Sequence, residues 1–146
     1  MRVLGLDYGS RTVGVAVTDP LGLSAQPLET IVRKEENKLR RTLARLEELC
    51  RLYGAERIVV GLPLNMNGSE GERAALARAF GEKLRQKTGL PVDYEDERLT
   101  TAEAEEILRE AKVPARERKQ YLDKMAASLI LRSWLEKEER RGQDHI

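Results

Sequence analysis

Three acidic residues occur at places in the sequence where a carboxylate is either well placed for chemistry or costly. Asp7 closes the apolar run VLGLD, and Glu97 belongs to the acidic group at 95–98 that follows a short β-like run. Asp123 lies in YLDKMAASLIL, where Lys124 is the only other charged residue. A carboxylate inside such an apolar segment is unfavourable unless it is paired or binds a metal. These residues are the candidates for a metal site.

Each carboxylate also has an ordinary structural explanation. Asp7, which precedes Tyr-Gly-Ser, fits a turn residue that bonds its own backbone. Glu97 fits a charged residue at the end of a strand, just before a helix cap. Asp123 fits the first turn of a helix, where a carboxylate complements the helix dipole by about 0.3 to 1 kcal/mol. Taken segment by segment, these alternatives remain open.

Taken together, the three carboxylates predict a divalent-metal site. Two negative charges 4 Å apart cost roughly 4 kcal/mol at an effective dielectric of 20, and a divalent cation reverses that sign. A purely oxygen donor set suits Mg²⁺ or Mn²⁺ better than zinc. Two such ions could activate a water and stabilise the leaving oxygen of a phosphodiester. We therefore expect Asp7, Glu97 and Asp123 to be both catalytic and metal-binding.

Basic and polar residues near these carboxylates are candidates for phosphate binding. The cations are Arg11, Arg98, Lys119 and Lys124. Lys119 and Asp123 are also spaced as an i, i+4 pair, which can be a plain surface salt bridge.

The loop 61–69 leads into a predicted helix N-terminus, where Asn65 and Ser69 could hold a phosphate. It lacks the GKS or GKT ending of a P-loop and also fits a plain connector with a capping serine.

Composition excludes several other chemistries. The chain has 146 residues with one cysteine and one histidine, so a thiolate zinc site or a Ser/His/Asp triad is not expected. Cys50 sits among apolar residues and is interpreted as a packed thiol. The net charge of +1 means that any phosphate-binding surface must be local. No apolar run is long enough to cross a membrane and no signal-peptide core is visible, so we expect a cytoplasmic protein.

Hydrophobic periodicity predicts the elements that must position these residues. The expected strands are 2–7, 12–18, 28–33, 57–62 and 91–95. The expected helices run from Asn37 to Gly54, from a capping box at Ser69 and Glu72 to Gly89, from a capping box at Thr100 and Glu103 to Ala111, and from Arg118 to Glu138. This order predicts an α/β fold with a five-stranded mixed sheet, three antiparallel strands followed by β-α crossovers, flanked by helices. We expect one domain at 1–138 and a charged tail at 139–146.

Four motifs in order resemble the YqgF family of Holliday-junction resolvases, relatives of RuvC that are also described as nucleases of precursor 16S ribosomal RNA. The motifs are LGLDYGSRTVGVAV, VVGLPLNMNGS, DERLTTAEA and LDKMAASLILRSWL, within residues 1–138. The resemblance implies an RNase H-like fold, a divalent-metal site and a phosphodiester substrate cut to leave a 5′-phosphate. It places catalytic roles on Asp7, Glu97 and Asp123 and accessory roles on Arg11, Arg98 and Thr100.

The expected function is therefore metal-dependent hydrolysis of nucleic acid. Maturation of the 5′ end of pre-16S rRNA and cleavage of branched DNA junctions are both open, and so are association with ribosomal precursor particles and a monomeric or homodimeric state. Two other classes remain as alternatives. One is a non-cleaving nucleic-acid adaptor, and the other is half of an actin-like ATPase or sugar kinase, whose first strand also ends in an Asp-x-Gly turn.

Overall fold

The computed structural model describes residues 1–97 and 100–144, with side chains throughout except at 100–102, 119, 120, 143 and 144. The elements in chain order are β1 (Val3–Tyr8), β2 (Thr12–Thr18), β3 (Ala25–Val32), α1 (Arg40–Tyr53), β4 (Arg57–Leu62), α2 (Glu72–Thr88), β5 (Val92–Asp96), α3 (Thr100–Glu110) and α4 (Ala115–Asp144). Within the described ranges, no helix is both long and apolar enough to cross a bilayer.

The five strands form one mixed sheet in the order β3-β2-β1-β4-β5. β1 pairs antiparallel with β2, which pairs antiparallel with β3, while β4 runs parallel to both β1 and β5. The predicted meander followed by β-α crossovers is confirmed. The central strands are rich in valine, isoleucine and leucine because helices cover the sheet on both faces.

Strand alternation divides the core between the two faces of the sheet. Leu4, Leu6 and Ile58 point to the face covered by α1 and α2, where they pack with Leu46 and Phe80. The opposite face lies under α4, and its buried residues are Val3, Ala16, Val59, Ala127, Ile130, Leu131 and Trp134. Asp7 has the parity of Val3 and therefore belongs to the α4 face.

Glycines on the α4 face let this helix approach the sheet closely. A Cβ on Gly14 would lie 2.0 Å from the carbonyl oxygen of Asp123, and one on Gly5 would lie 2.8 Å from the Cβ of Leu131. Neither distance is sterically possible, so only glycine allows this packing. Gly14 is also the strand partner of Asp7. The close approach therefore brings the backbone of Asp123 next to the end of β1.

The capping box predicted at Ser69 and Glu72 is wrong. α2 begins at Glu72 after Gly71, and no side chain caps its N-terminus. The hydroxyl of Ser69 instead donates to Oδ1 of Asn67 at 2.6 Å and accepts from Nδ2 of Asn65 at 2.9 Å. Asparagine side chains within the same loop compete for the serine, and local side-chain bonds of this kind favour turns over caps.

α4 is longer at both ends than the sequence pattern indicated. It begins at Ala115, directly after Pro114, and continues to Asp144 instead of ending near Glu138. Proline is well tolerated at a helix start because its missing N–H has no partner there. Asp123 consequently lies in the third turn of α4, so the explanation of Asp123 as a first-turn residue complementing the helix dipole is wrong. The division into a domain and a tail at 139 remains a prediction.

Candidate active site

The C-terminal ends of β1, β4 and β5 meet at one edge of the sheet because these strands run parallel. Asp7 is the second-last residue of β1, and Glu97 directly follows β5. The backbone N–H of Glu97 donates to the carbonyl oxygen of Leu62 at 3.2 Å, which extends the pairing of β5 with β4 by one residue. This edge therefore holds two of the three predicted carboxylates.

Asp7 and Glu97 share a hydrogen bond between their carboxyl groups. Such a bond needs a proton on one of the two, since an ionised carboxylate only accepts. Burial raises the pKa of Asp7 above its ordinary value. Burial, followed by the negative charge of Asp7, raises the pKa of Glu97 to about 9. The pair therefore retains a proton at neutral pH in the absence of a cation.

Asp123 approaches this pair from the helix above it. Its negative charge adds to the raised pKa of Asp7, although less than burial does. Within residues 1–97 and 100–144, no three His, Cys, Asp or Glu side chains form a compact metal-binding group. Asp7 and Glu97 thus share a hydrogen bond, whereas Asp123 acts on Asp7 through its charge.

Arg73, in the first turn of α2, is a site residue that the sequence did not reveal. Its positive charge lowers the pKa of Glu97, opposing the effect of burial. The guanidinium lies 5.7 Å from the centre of the Tyr8 ring, and Nη1 donates to Glu36 at 2.5 Å. The order of the elements could have indicated Arg73: α2 follows β4, so the first turn of α2 lies at the same sheet edge as the carboxylates.

Glu95 is also buried on the α4 side but is fully compensated. It is 4% exposed, and its Oε2 accepts hydrogen bonds from Nζ of Lys137 at 2.6 Å and Oγ of Ser133 at 2.8 Å. A buried carboxylate with a cation and a hydroxyl donor is a structural ion pair. Glu95 therefore differs in its partners from Glu97, two residues later, whose carboxyl group bonds that of Asp7.

The predicted phosphate-binding residues have different placements. Arg11 is exposed in the turn between β1 and β2, four residues after Asp7 in the sequence. Nζ of Lys124 lies 4.8 Å from the centre of the Tyr121 ring. Asn65 and Ser69 bond to each other. Within the described part of the chain, their side chains bond within their own loop, to each other and to Asn67, rather than to the carboxylates.

The remaining predicted residues fall outside what the structure describes. Arg98 lies between the described ranges, and the side chains of Thr100 and Lys119 are among those not described. Their predicted roles in substrate binding remain predictions.

The chemistry of this site suits a hard divalent cation. Asp7 and Glu97 offer carboxylate oxygens only, the donors that Mg²⁺ and Mn²⁺ prefer. Both groups are largely buried, and the positive charge of the partly exposed Arg73 lowers the pKa of Glu97. A cation at this edge would displace the shared proton and balance the negative charge.

Sheet order and site position together define an RNase H-like fold with carboxylates at one sheet edge. RuvC from Thermus thermophilus in complex with Holliday junction substrate has a similar structure, with a TM-score of 0.59 and 18% identity, covering 95% of this chain and 96% of that one. Fowlpox virus resolvase with Holliday junction DNA gives a TM-score of 0.56 at 8% identity, covering 94% and 98%. These similarities show the fold.

The chain belongs to the family described as RuvX: Holliday junction resolvase, whose model matches residues 1–137. A relative from Lachnospira eligens is 51% identical over 140 residues, covering 96% of this chain and all of that one. A relative from Moorella thermoacetica is 49% identical over 146 residues and covers both chains completely. Both carry the name "Putative pre-16S rRNA nuclease". The resemblance inferred from the four motifs is confirmed.

Proposed function

We propose that this chain is a metal-dependent nuclease in which Asp7, Glu97 and Asp123 are the catalytic carboxylates. The observation that carries the proposal is the largely buried, hydrogen-bonded pair of Asp7 and Glu97, with the charge of Asp123 acting on Asp7. Such a group of acids destabilises the fold unless a cation neutralises it, so its presence points to a binding role. The names of the relatives support the same activity.

Asp7, Glu97 and Asp123 would hold one or two Mg²⁺ or Mn²⁺ ions. A cation bound there supplies charge stabilisation for the phosphodiester and lowers the pKa of a water molecule. Asp7 and Glu97 would have to lose their shared proton to bind a cation with both carboxylates ionised. Arg73 holds a positive charge beside Glu97, where it favours the ionised carboxylate and attracts the phosphate.

The relatives' names favour precursor 16S rRNA as the substrate. Trimming of its 5′ end in the cytoplasm, with ribosomal precursor particles as the partner, is our proposal for how that substrate is used. A four-way DNA junction is the second candidate, favoured by the family description and by the junction-bound resolvases of the same fold. Symmetric cleavage of a junction requires two copies of the chain, whereas trimming one RNA end requires one.

A cleavage assay with both substrates tests the proposal. The purified protein is incubated with RNA carrying the 5′ extension of 16S rRNA, or with a four-way DNA junction, in Mg²⁺ or Mn²⁺. We expect cleavage that Asp7→Asn abolishes and that Glu110→Gln, an exposed change on α3, leaves intact. Binding without cleavage under all these conditions would favour a non-cleaving adaptor instead.

A further inference from the structure

The segment between β3 and the second turn of α1 concentrates positive charge on one surface. Residues 33–45 contain six basic and two acidic side chains, in a chain whose net charge is only +1. They line most of a groove of about 750 Å³. We name this surface the basic groove and define it by Arg33, Lys34, Lys38, Arg40 and Arg41.

Most of this charge is not neutralised within the protein. Lys34, Arg40 and Arg41 are exposed, and none of them forms an ion pair with a described residue. Lys38 has only a loose partner, with Nζ 4.0 Å from Oε2 of Glu35. α1 begins at Arg40 with no acidic residue in its first turn, so the partial positive charge of the helix N-terminus adds to the cations.

Arg33 is the buried base of the groove. It is 7% exposed, and its Nη1 makes no hydrogen bond to a described residue. Its other donors go to neutral oxygens: Nε donates to the backbone of Glu36 at 3.1 Å, Nη2 donates to the backbone of Gly9 at 2.6 Å, and the guanidinium also bonds the hydroxyl of Tyr8. A buried cation that is held by neutral oxygens and lacks a described carboxylate partner favours an anion nearby.

The basic groove is joined to the active-site edge by direct contacts. The backbone N–H of Arg33 donates to the carbonyl oxygen of Arg11 at 2.7 Å, and its guanidinium lies 4.9 Å from the centre of the Tyr8 ring. Tyr8 is the last residue of β1, directly after Asp7, and Arg11 lies in the turn that follows. A nucleic-acid strand whose scissile phosphodiester lies at the carboxylates can therefore continue over the basic groove.

We propose that the basic groove binds the phosphodiester backbone of the substrate nucleic acid beyond the scissile bond. This inference rests on the proposed nuclease function and adds to it a surface that holds the strand. Lysines and arginines on a groove bind phosphates by charge, so the contact is independent of base sequence.

Binding measurements on charge-matched variants test the basic groove. The double change Lys34→Ala with Arg41→Ala removes two cations from it. The control, Lys87→Ala with Arg140→Ala, removes one lysine and one arginine that are exposed elsewhere. Both are made in the Asp7→Asn background, which prevents cleavage. Labelled structured RNA and a labelled four-way DNA junction are titrated by fluorescence anisotropy at several salt concentrations.

For the groove variant we expect a Kd raised about tenfold or more, and a slope of log K against log salt that is smaller by about 2. The control should change Kd less than about twofold, and Lys34→Arg with Arg41→Lys should retain binding. Loss with both probes supports a shared backbone contact, and loss with one probe identifies that nucleic acid as the ligand. Equal affinities for the groove variant and the control would overturn the proposal.

The two proposals fail in different ways. If the unaltered chain cleaves nucleic acid but the groove variant binds like the control, only the basic groove is wrong. If no nucleic acid is cleaved while the groove variant still loses binding, the surface stands and the nuclease proposal is wrong.

Discussion

The carboxyl groups of Asp7 and Glu97 share a hydrogen bond although β4 lies between the strands that carry them. The residue of β4 at this place is Gly61, and a Cβ there would lie 2.7 Å from Oε2 of Glu97. The missing side chain thus leaves the space that the carboxyl of Glu97 occupies. The backbone of β4, which lies between β1 and β5, therefore sets the distance between the two acids.

Gly61→Ala should impair activity by displacing Glu97. The new methyl would also lie 2.5 Å from Cδ1 of Ile130, so both side chains have to move. We expect kcat/KM to fall by about 10- to 100-fold and the unfolding free energy to fall by about 1 to 3 kcal/mol. The matched control is Gly142→Ala, where nothing lies within 4 Å of the added Cβ. Unchanged cleavage in Gly61→Ala would contradict this role for the glycine.

Asp7→Asn and Glu97→Gln should each abolish activity and yet stabilise the metal-free protein. Each change replaces a buried acid, which must remain protonated or become an unfavourable charge, with a neutral amide. We expect about 1 to 3 kcal/mol of stabilisation in urea unfolding at neutral pH with a chelator present. Glu110→Gln on the exposed face of α3 should change neither quantity. A loss of stability in both site variants would mean that the pair is a structural element.

The stability of the metal-free protein should decline with rising pH because of this pair. The folded state raises the pKa of Glu97 from 4.5 to about 9, so the folded protein binds its proton more tightly than the unfolded chain does. The contribution to stability is complete below pH 4.5 and is lost as pH rises toward 9. The difference between wild type and Glu97→Gln, measured by denaturant unfolding across this range, isolates it. Saturating Mg²⁺ or Mn²⁺ should remove most of the decline.

Arg73→Ala should move the pH dependence of cleavage to higher pH. Arg73 lowers the pKa of Glu97, so its loss makes ionisation of that carboxyl harder. The acidic limb of kcat/KM against pH is the readout, because it reports essential groups in the free enzyme. Arg73→Lys keeps the charge and should shift the limb less. A uniform fall in rate with no change in the profile would assign Arg73 to packing on Tyr8 instead.

The sequence predicted the sheet well because its signals are local. The run RIVVGL is β4 with the bounds that periodicity gave, and Gly54 ends α1 in the left-handed conformation expected of it. Cys50 is buried as expected, and burial raises the pKa of its thiol to about 11. Helix ends were less accurate. Ser69 of the predicted capping box instead forms hydrogen bonds with Asn65 and Asn67. Hydrophobic periodicity contains no information about such side-chain bonds.

By itself, the sequence determined the family, the order of the strands and helices along the chain, and the identity of the three candidate carboxylates, because motifs and hydrophobic alternation are local features of the sequence. Only the tertiary structure decided that Asp7 and Glu97 share a hydrogen bond, that the charge of Asp123 acts on Asp7, and that Arg73 joins the site. These relationships depend on how closely α4 approaches Gly14 and on the space above Gly61. Such distances result from packing between elements far apart in the chain, where a shift of one ångström changes the electrostatics of a buried acid.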